Sequence, residues 1–317
     1  MTPMLASLGF ALAALCAGVM GFAIQRGGTC TVAAVEEMVA QRSARRLLAL
    51  GEASLWVAGG LLVAQALHML PAMPAGFALN RWTLLGGALL GLGAWVNRAC
   101  VFGAIARLGS GEWSYALTPV GFYLGCLSAG PLFGDGLQHK LPQGSPVLQA
   151  PAWVAVLFLL FAAWRLLRPW RMHAPRRALA ERIWSPHAAT TVIGISFVVM
   201  LLVAGAWAYT EVLAELARGM AMSLAARAAL FAALLLGAIW GGWTAGRWRS
   251  TRITPAQCAR CLAGGMLMGW GSLLIPGGND GLILVGMPLL WPYAWAAFLS
   301  MCLTIGATLL LVRRAQP

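Results

Sequence analysis

The chain has 317 residues, 60% of them hydrophobic and only 10% charged, with a net charge of +13 and a mean hydropathy of +0.78. A soluble domain carries about 25% charged residues, so the composition excludes a soluble fold and points to a polytopic membrane protein. The basic residues lie in short loops between apolar runs, which argues against nucleic acid as a partner and makes the charge a topology signal.

Nine apolar runs approach the ~20 helical residues that cross ~30 Å of hydrocarbon. They cover roughly 4–24, 47–70, 83–97, 113–133, 150–168, 188–208, 226–246, 262–275 and 291–312, the third and eighth being short. The first has neither a charged start nor a small-residue cleavage site before Cys16, so it reads as a transmembrane helix and not a signal peptide. Four further apolar pieces, about Thr29–Val39, Cys100–Leu108, Thr210–Met222 and Asn279–Met287, are too short to span and read as half helices. The expected fold is an all-α membrane bundle of about nine transmembrane helices plus these four.

With nine crossings, eighteen of the 22 basic residues fall on one side, leaving Arg81, Lys140, Arg218 and Arg227 on the other. The positive-inside rule then puts the N-terminus outside and the C-terminus in the cytoplasm, with a cell inner membrane as the expected location. The first two half helices enter from the cytoplasmic side and the last two from outside.

The stretch Gly86–Leu127 is written twice. At an offset of 178, Gly86, Gly87, Leu89, Gly91, Gly93, Gly103, Ile105, Trp113, Tyr115 and Ala116 meet identical residues from Gly264 to Ala294. Trp-x-Tyr-Ala in register is hard to ascribe to composition. Each half holds four crossings and 150–168 adds a fifth, so the second copy is expected upside down. The organisation is then a first half at 1–149, a linker helix with an Arg-rich cytoplasmic loop at 150–187, and an inverted half at 188–317. Paired interrupted segments in two halves point to a transporter binding site, and irregular backbone at that depth must line protein or a cavity. Gly87-xxx-Gly91 and Gly265-xxx-Gly269 read as close helix packing.

No Walker-type loop or HExxH is present. His68, His139, His173 and His187 read as loop or interfacial residues. Cys258-x-x-Cys261 lacks a second ligand pair for zinc; packing is its simpler reading, and a thiol–disulfide role is the alternative. Cys30 and Cys100 each open a short helix beside an Arg in a break, in Gln25-Arg26-Gly27-Gly28-Thr29-Cys30 and Asn97-Arg98-Ala99-Cys100. Helix N-termini favour anions and thiolates, and on chemistry alone the two cysteines read equally as ligand-binding or as small buried hydrophobes. Cys100 aligns with Gly278, next to Asn279-Asp280, which reads equally as a functional membrane acid and as an N-cap. Glu36 and Glu37 read rather as solvated acids at the cytoplasmic end.

GFAIQRGGTCTVAAVEEM resembles the first motif of the YeeE/YedE family, with Gly-Phe, Gln-Arg, then Cys followed by small residues and an acid. The Gly-rich duplicated segments ending in Cys100 and in Asn279-Asp280 resemble its later motifs. The resemblance implies a membrane sulfur transporter, with thiosulfate foremost among its substrates, working without enzymatic chemistry or a cofactor. It also implies an inverted-repeat bundle with a cysteine relay, here Cys30 and Cys100, and a cytoplasmic sulfur-carrier protein as a candidate partner. The expected binding and translocation residues are Gln25, Arg26, Cys30, Asn97, Arg98, Cys100, Asn279 and Asp280. In the second half the family pattern has Gly-Cys, and this chain has Gly277-Gly278-Asn279-Asp280. Asp280 repels a doubly charged anion unless it is protonated or paired. Alternatives are a membrane sulfur-transfer protein using Cys258 and Cys261, and a permease for a selenium or other sulfur species using Asp280 for proton coupling.

Overall fold

A computed structural model describes residues 8–133, 138–171, 183–219 and 224–315. Among the described residues the chain is all-helical, with one isolated bridge between Phe77 and Lys140. Of the expected Arg-rich loop, residues 172–182, including His173, Arg176, Arg177 and Arg182, lie outside the described residues.

The first half runs α1 (Leu8–Gly27), α2 (Thr31–Gln41), α3 (Arg45–Ala66), α4 (Arg81–Asn97), α5 (Val101–Gly109) and, after a short 3-10 turn, α6 (Leu117–Phe133). Helix α7 (Ala152–Arg171) follows. The second half runs α8 (Pro186–Ala204), α9 (Tyr209–Ala217), α10 (Leu224–Thr244), α11 (Pro255–Leu274), α12 (Asn279–Gly281, continued by a π-helical turn over Leu282–Gly286) and α13 (Pro292–Ala315). Adding 178 to the starts of α1, α2 and α5 gives 186, 209 and 279, the starts of α8, α9 and α12. The element order thus recurs across both halves, and among the described residues α7 has no counterpart.

Among the described residues seven helical segments are long and apolar enough to cross a bilayer, and the bent pair Pro255–Leu274 with Asn279–Gly286, taken as one span, makes an eighth. The expected run 150–168 is helical, but its apolar part, Ala152–Leu167, is shorter than a span of ~20 residues. The eighth run, by contrast, is not short. Thr254 caps α11 by accepting from the Gln257 amide at 3.3 Å, and Pro255 occupies the first turn, where a missing N–H costs nothing. The polar stretch Pro255–Cys261 hid this start from hydropathy. The first break is also tighter than expected, since α1 continues through Gln25 and Arg26, while α4 ends at Asn97 as expected. Each ends at a left-handed residue, Gly28 or Arg98. The following amides, of Thr29 and Ala99, close back on Ile24 and Ala94 at 3.1 and 3.0 Å, the pattern that satisfies orphan carbonyls at a helix end.

Glycine seams set the packing. A Cβ on Gly93 would lie 2.7 Å from the Gly264 carbonyl oxygen, and one on Gly264 the same distance from Gly93's. Gly86 and Gly271 meet in the same reciprocal way, so α4 and α11, equivalent helices of the two halves, cross antiparallel. Gly87 and Gly91 seat α4 on Ala297 and Met301 of α13; Gly265 and Gly269 seat α11 on Thr118 and Phe122 of α6. Both of these pairs run parallel. Gly18 against Gly237 and Gly241 against Phe22 make α1 parallel to α10, as Gly194 against Trp56 and Gly60 against Val198 make α3 parallel to α8. The outer surface carries large exposed apolar side chains on most of these helices, among them Leu15, Leu55, Leu124, Leu160, Trp240 and Leu303, as a lipid-facing bundle requires.

Candidate functional site

The four short helices meet at their N-terminal ends, deep in the bundle. Cys30 is the N-cap of α2 and Cys100 the N-cap of α5, both with extended backbone. Neither caps its own helix. The Thr31 amide of α2 donates to the Cys100 sulfur at 3.2 Å, and the Cys100 amide donates to the Cys30 sulfur at 3.4 Å. Each thiol therefore meets a free amide at the start of the other helix, where the dipole favours negative charge. Cys100 is fully buried, whereas Cys30 reaches a cavity. Gly103 makes room for it, since a Cβ there would lie 3.0 Å from the Cys30 Cβ.

The second half closes the knot differently. Asn279 Nδ2 donates to Thr31 Oγ1 at 3.1 Å, joining α12 to α2. Asp280 accepts from both the hydroxyl and the amide of Thr210, capping α9. The Tyr209 hydroxyl donates to the Val101 carbonyl at 3.0 Å, joining α9 to α5. Ser54 of α3 donates to the Ile283 carbonyl at 2.6 Å, supporting the π-turn of α12; such turns cluster at functional positions.

Cavities flank this knot on both sides. One, of about 200 Å³, is lined by Gln25, Cys30, Glu36, Arg98, Arg107 and Arg247 among others. Arg98 and Arg107 also line a neighbouring opening of about 320 Å³ with Arg260 and Glu112. The other cavity, of about 340 Å³, is lined by Thr210, Glu211, Gly278, Gly281, Lys140 and Arg218 among others. The sequence expectation places the first cavity at the cytoplasmic face and the second outside.

The expected site residues divide into two groups. Cys30, Cys100, Asn279 and Asp280 are brought together. Gln25 and Arg98 line the first cavity, and Gln25 Nε2 donates to Ser110 at 3.2 Å. Arg26 donates to Thr244 of α10 at 2.8 Å and stacks on Phe22. Asn97 is fully buried; its Nδ2 donates to the Ala99 carbonyl at 2.8 Å and its Oδ1 accepts from Thr118 at 3.1 Å, so its amide holds the α4–α5 break. Glu37 pairs with Arg46 at 2.9 Å and accepts from Ser43, while Glu36 is exposed at the cavity. Cys258 and Cys261 are free thiols in the first turns of α11, with Cys261 buried against Ala99, Ala104, Leu108 and Tyr115.

Sequence reasoning missed Thr31, Tyr209 and Thr210, although the last two open the half helix equivalent to α2. It also missed Glu52, which binds Arg165 at 2.9 Å, His187 and Thr191, and so ties α7 and α8 to α3. The expected Gly-Cys is absent for a geometric reason. A Cβ at Gly278 would lie 2.8 Å from Asp280 Oδ1 and closer still to Thr210 Oγ1, so the Asp280–Thr210 pair fills the space a third thiol would take.

Broken helices meeting between two opposed cavities define a membrane protein of the transporter class. The chain matches the family model described as Sulphur transport over residues 26–308, most of its length, and it belongs to that family, as the resemblance of its motifs to YeeE/YedE proteins leads one to expect. No curated protein matches it.

Proposed function

We propose that the chain takes up a small inorganic sulfur anion, thiosulfate foremost, from the outer cavity to the cytoplasmic one, past Cys100 and then Cys30. The carrying observation is the exchange of caps between the two thiols at the neck between the cavities. A sulfur anion arriving there meets amide donors and the helix N-termini for its charge and polarizable thiols for its soft end. It can displace the thiols from the amides they hold, one after the other. No bond to sulfur is made, so the process is transport and not catalysis. Arg98, Arg107 and Arg247 at the inner mouth attract the anion once it has passed.

The same reading takes nine crossings, a periplasmic N-terminus, a cytoplasmic C-terminus and two halves, 1–149 and 188–317, inverted about an axis in the membrane plane. Helix directions support it. Nine alternating crossings make α4 and α11 antiparallel, and α4–α13, α6–α11, α1–α10 and α3–α8 parallel, as their glycine contacts run. Helix α7 also fits a crossing antiparallel to α3, with Phe158 against Gly59 and Arg165 on Glu52. A cytoplasmic sulfur-carrier protein is the partner proposed to receive the product.

The Cys258/Cys261 alternative has no such support, because Cys261 is closed into an apolar cluster. Growth of a sulfur auxotroph lacking its own uptake systems tests the proposal. With this chain it should grow on thiosulfate as sole sulfur source; growth on sulfite or sulfide but not thiosulfate would refute thiosulfate as the substrate, and growth on none of them would refute the assignment.

A further inference from the structure

The outer half of the knot holds a carboxylate that an anion path does not explain. Asp280 and Asn279 are 2% and 1% exposed. Among the described residues no Arg, Lys or His forms an ion pair with Asp280. Its hydrogen bonds come from the amide and hydroxyl of Thr210 and from backbone amides at the start of α12, with no cation among them, and a buried charge without a counter-ion is expensive. Beside it, Asn279 spends its Nδ2 on Thr31, and its Oδ1 is buried without any hydrogen-bond partner. Asn279 Oδ1 is an acceptor, so what it lacks is a positive or proton-bearing group. Asn279 Oδ1, the Asp280 carboxylate and the hydroxyls bonded to these two residues, those of Thr31 and Thr210, are all oxygen donors, the kind that suits a hard cation.

We infer that Asn279 and Asp280, with Thr31 and Thr210, bind a monovalent cation, a proton or Na⁺, that enters with the sulfur anion. The inference rests on the transport reading above and adds its driving force. The site lies between the thiol pair and the outer cavity, which Thr210, Gly278 and Gly281 line. Its titratable and charged surroundings are Tyr209 of α9 and Cys100 of α5, with Glu211, Tyr293, Glu215, Lys140 and Arg218 around the cavity. Arg227 of α10 is taken up by Glu215. Glu211 is a further acid close to α12, its Oε1 lying 3.6 Å from where a Cβ on Gly281 would sit. An anion crossing this stretch is repelled by Asp280 until a cation neutralises it, and the anion in turn favours the cation. By linkage each raises the other's affinity.

The test uses the full chain purified in detergent and reconstituted into liposomes, as wild type, Asp280→Asn and Asn279→Ala. Unfolding temperature is followed as Na⁺ replaces choline at constant ionic strength, and as pH is varied. Accumulation of radiolabelled thiosulfate is followed under an inward Na⁺ or proton gradient. The expected result is a wild-type unfolding temperature that responds to Na⁺ or to pH. That response should be lost in Asp280→Asn and weakened in Asn279→Ala, and accumulation should require a gradient of the same cation. Asp280→Asn keeping the wild-type response, or wild type accumulating without either gradient, overturns the cation site. If Asp280→Asn does not fold, an unchanged response in Asn279→Ala overturns it equally. A cation response that Asp280→Asn removes, in a protein that moves no sulfur anion, upholds the site and refutes the transport reading instead.

Discussion

At the scale of single residues, the site depends on which atoms occupy four helix starts. Sulfur accepts hydrogen bonds weakly, so the two amides held by Cys30 and Cys100 are ready to be taken by a better acceptor. The carboxylate of Asp280 is a strong acceptor and holds Thr210 firmly; charged hydrogen bonds contribute about 1.5–3 kcal/mol. The inner half is therefore exchangeable and the outer half fixed until Asp280 is neutralised. Cys258 and Cys261 take no part in the exchange of caps, although Cys30 packs against the cluster that encloses Cys261. Replacing both with Ser is expected to leave thiosulfate uptake largely intact, measured as initial rate per folded protein. Complete loss of uptake, with a trapped mixed disulfide in the wild type, would move the chemistry to that pair.

At the scale of elements, glycine seams let the broken helices reach the centre. A Cβ on Gly91 would come within 2.6 Å of the Met301 carbonyl, which is backbone and cannot rotate aside. Gly91→Leu is thus expected to reduce the yield of monodisperse protein, since overpacking costs about 1–3 kcal/mol and more where backbone is met. Full yield with selective loss of uptake would put Gly91 on the substrate path instead. The half helices were legible because their apolar runs are too short to span and follow breaks rich in Gly or carrying Arg. Their exact ends were less so. Gln25 and Arg26 read as break residues beyond the run that ends at 24, yet both are helical, as Asn97 is at the end of the run 83–97. Their partners Ser110, Thr244 and Thr118 lie 85, 218 and 21 residues away, and no local pattern announces such contacts.

At the scale of the whole molecule, the duplication carried the most information. It paired Gly103 with Gly281 and Cys100 with Gly278, and the structure gives these pairs physical content. Gly103 leaves room for the Cys30 thiol, and Gly278 yields its space to Asp280 and Thr210. What the duplication left unread is the difference between halves, because a thiol pair and an acid–hydroxyl pair share no sequence signature. The central claim, that the thiols at the neck handle the substrate, is tested most directly by uptake of radiolabelled thiosulfate into sealed vesicles. Wild type, Cys100→Ser and Cys126→Ser are compared at equal amounts of folded protein. Cys126 sits within α6 and faces the Gly269 carbonyl of α11 at 3.7 Å, a packing position. The account predicts that Cys100→Ser abolishes or severely reduces uptake while inserting and purifying normally, and that Cys126→Ser transports close to wild type. Uptake by Cys100→Ser at the wild-type rate would contradict it.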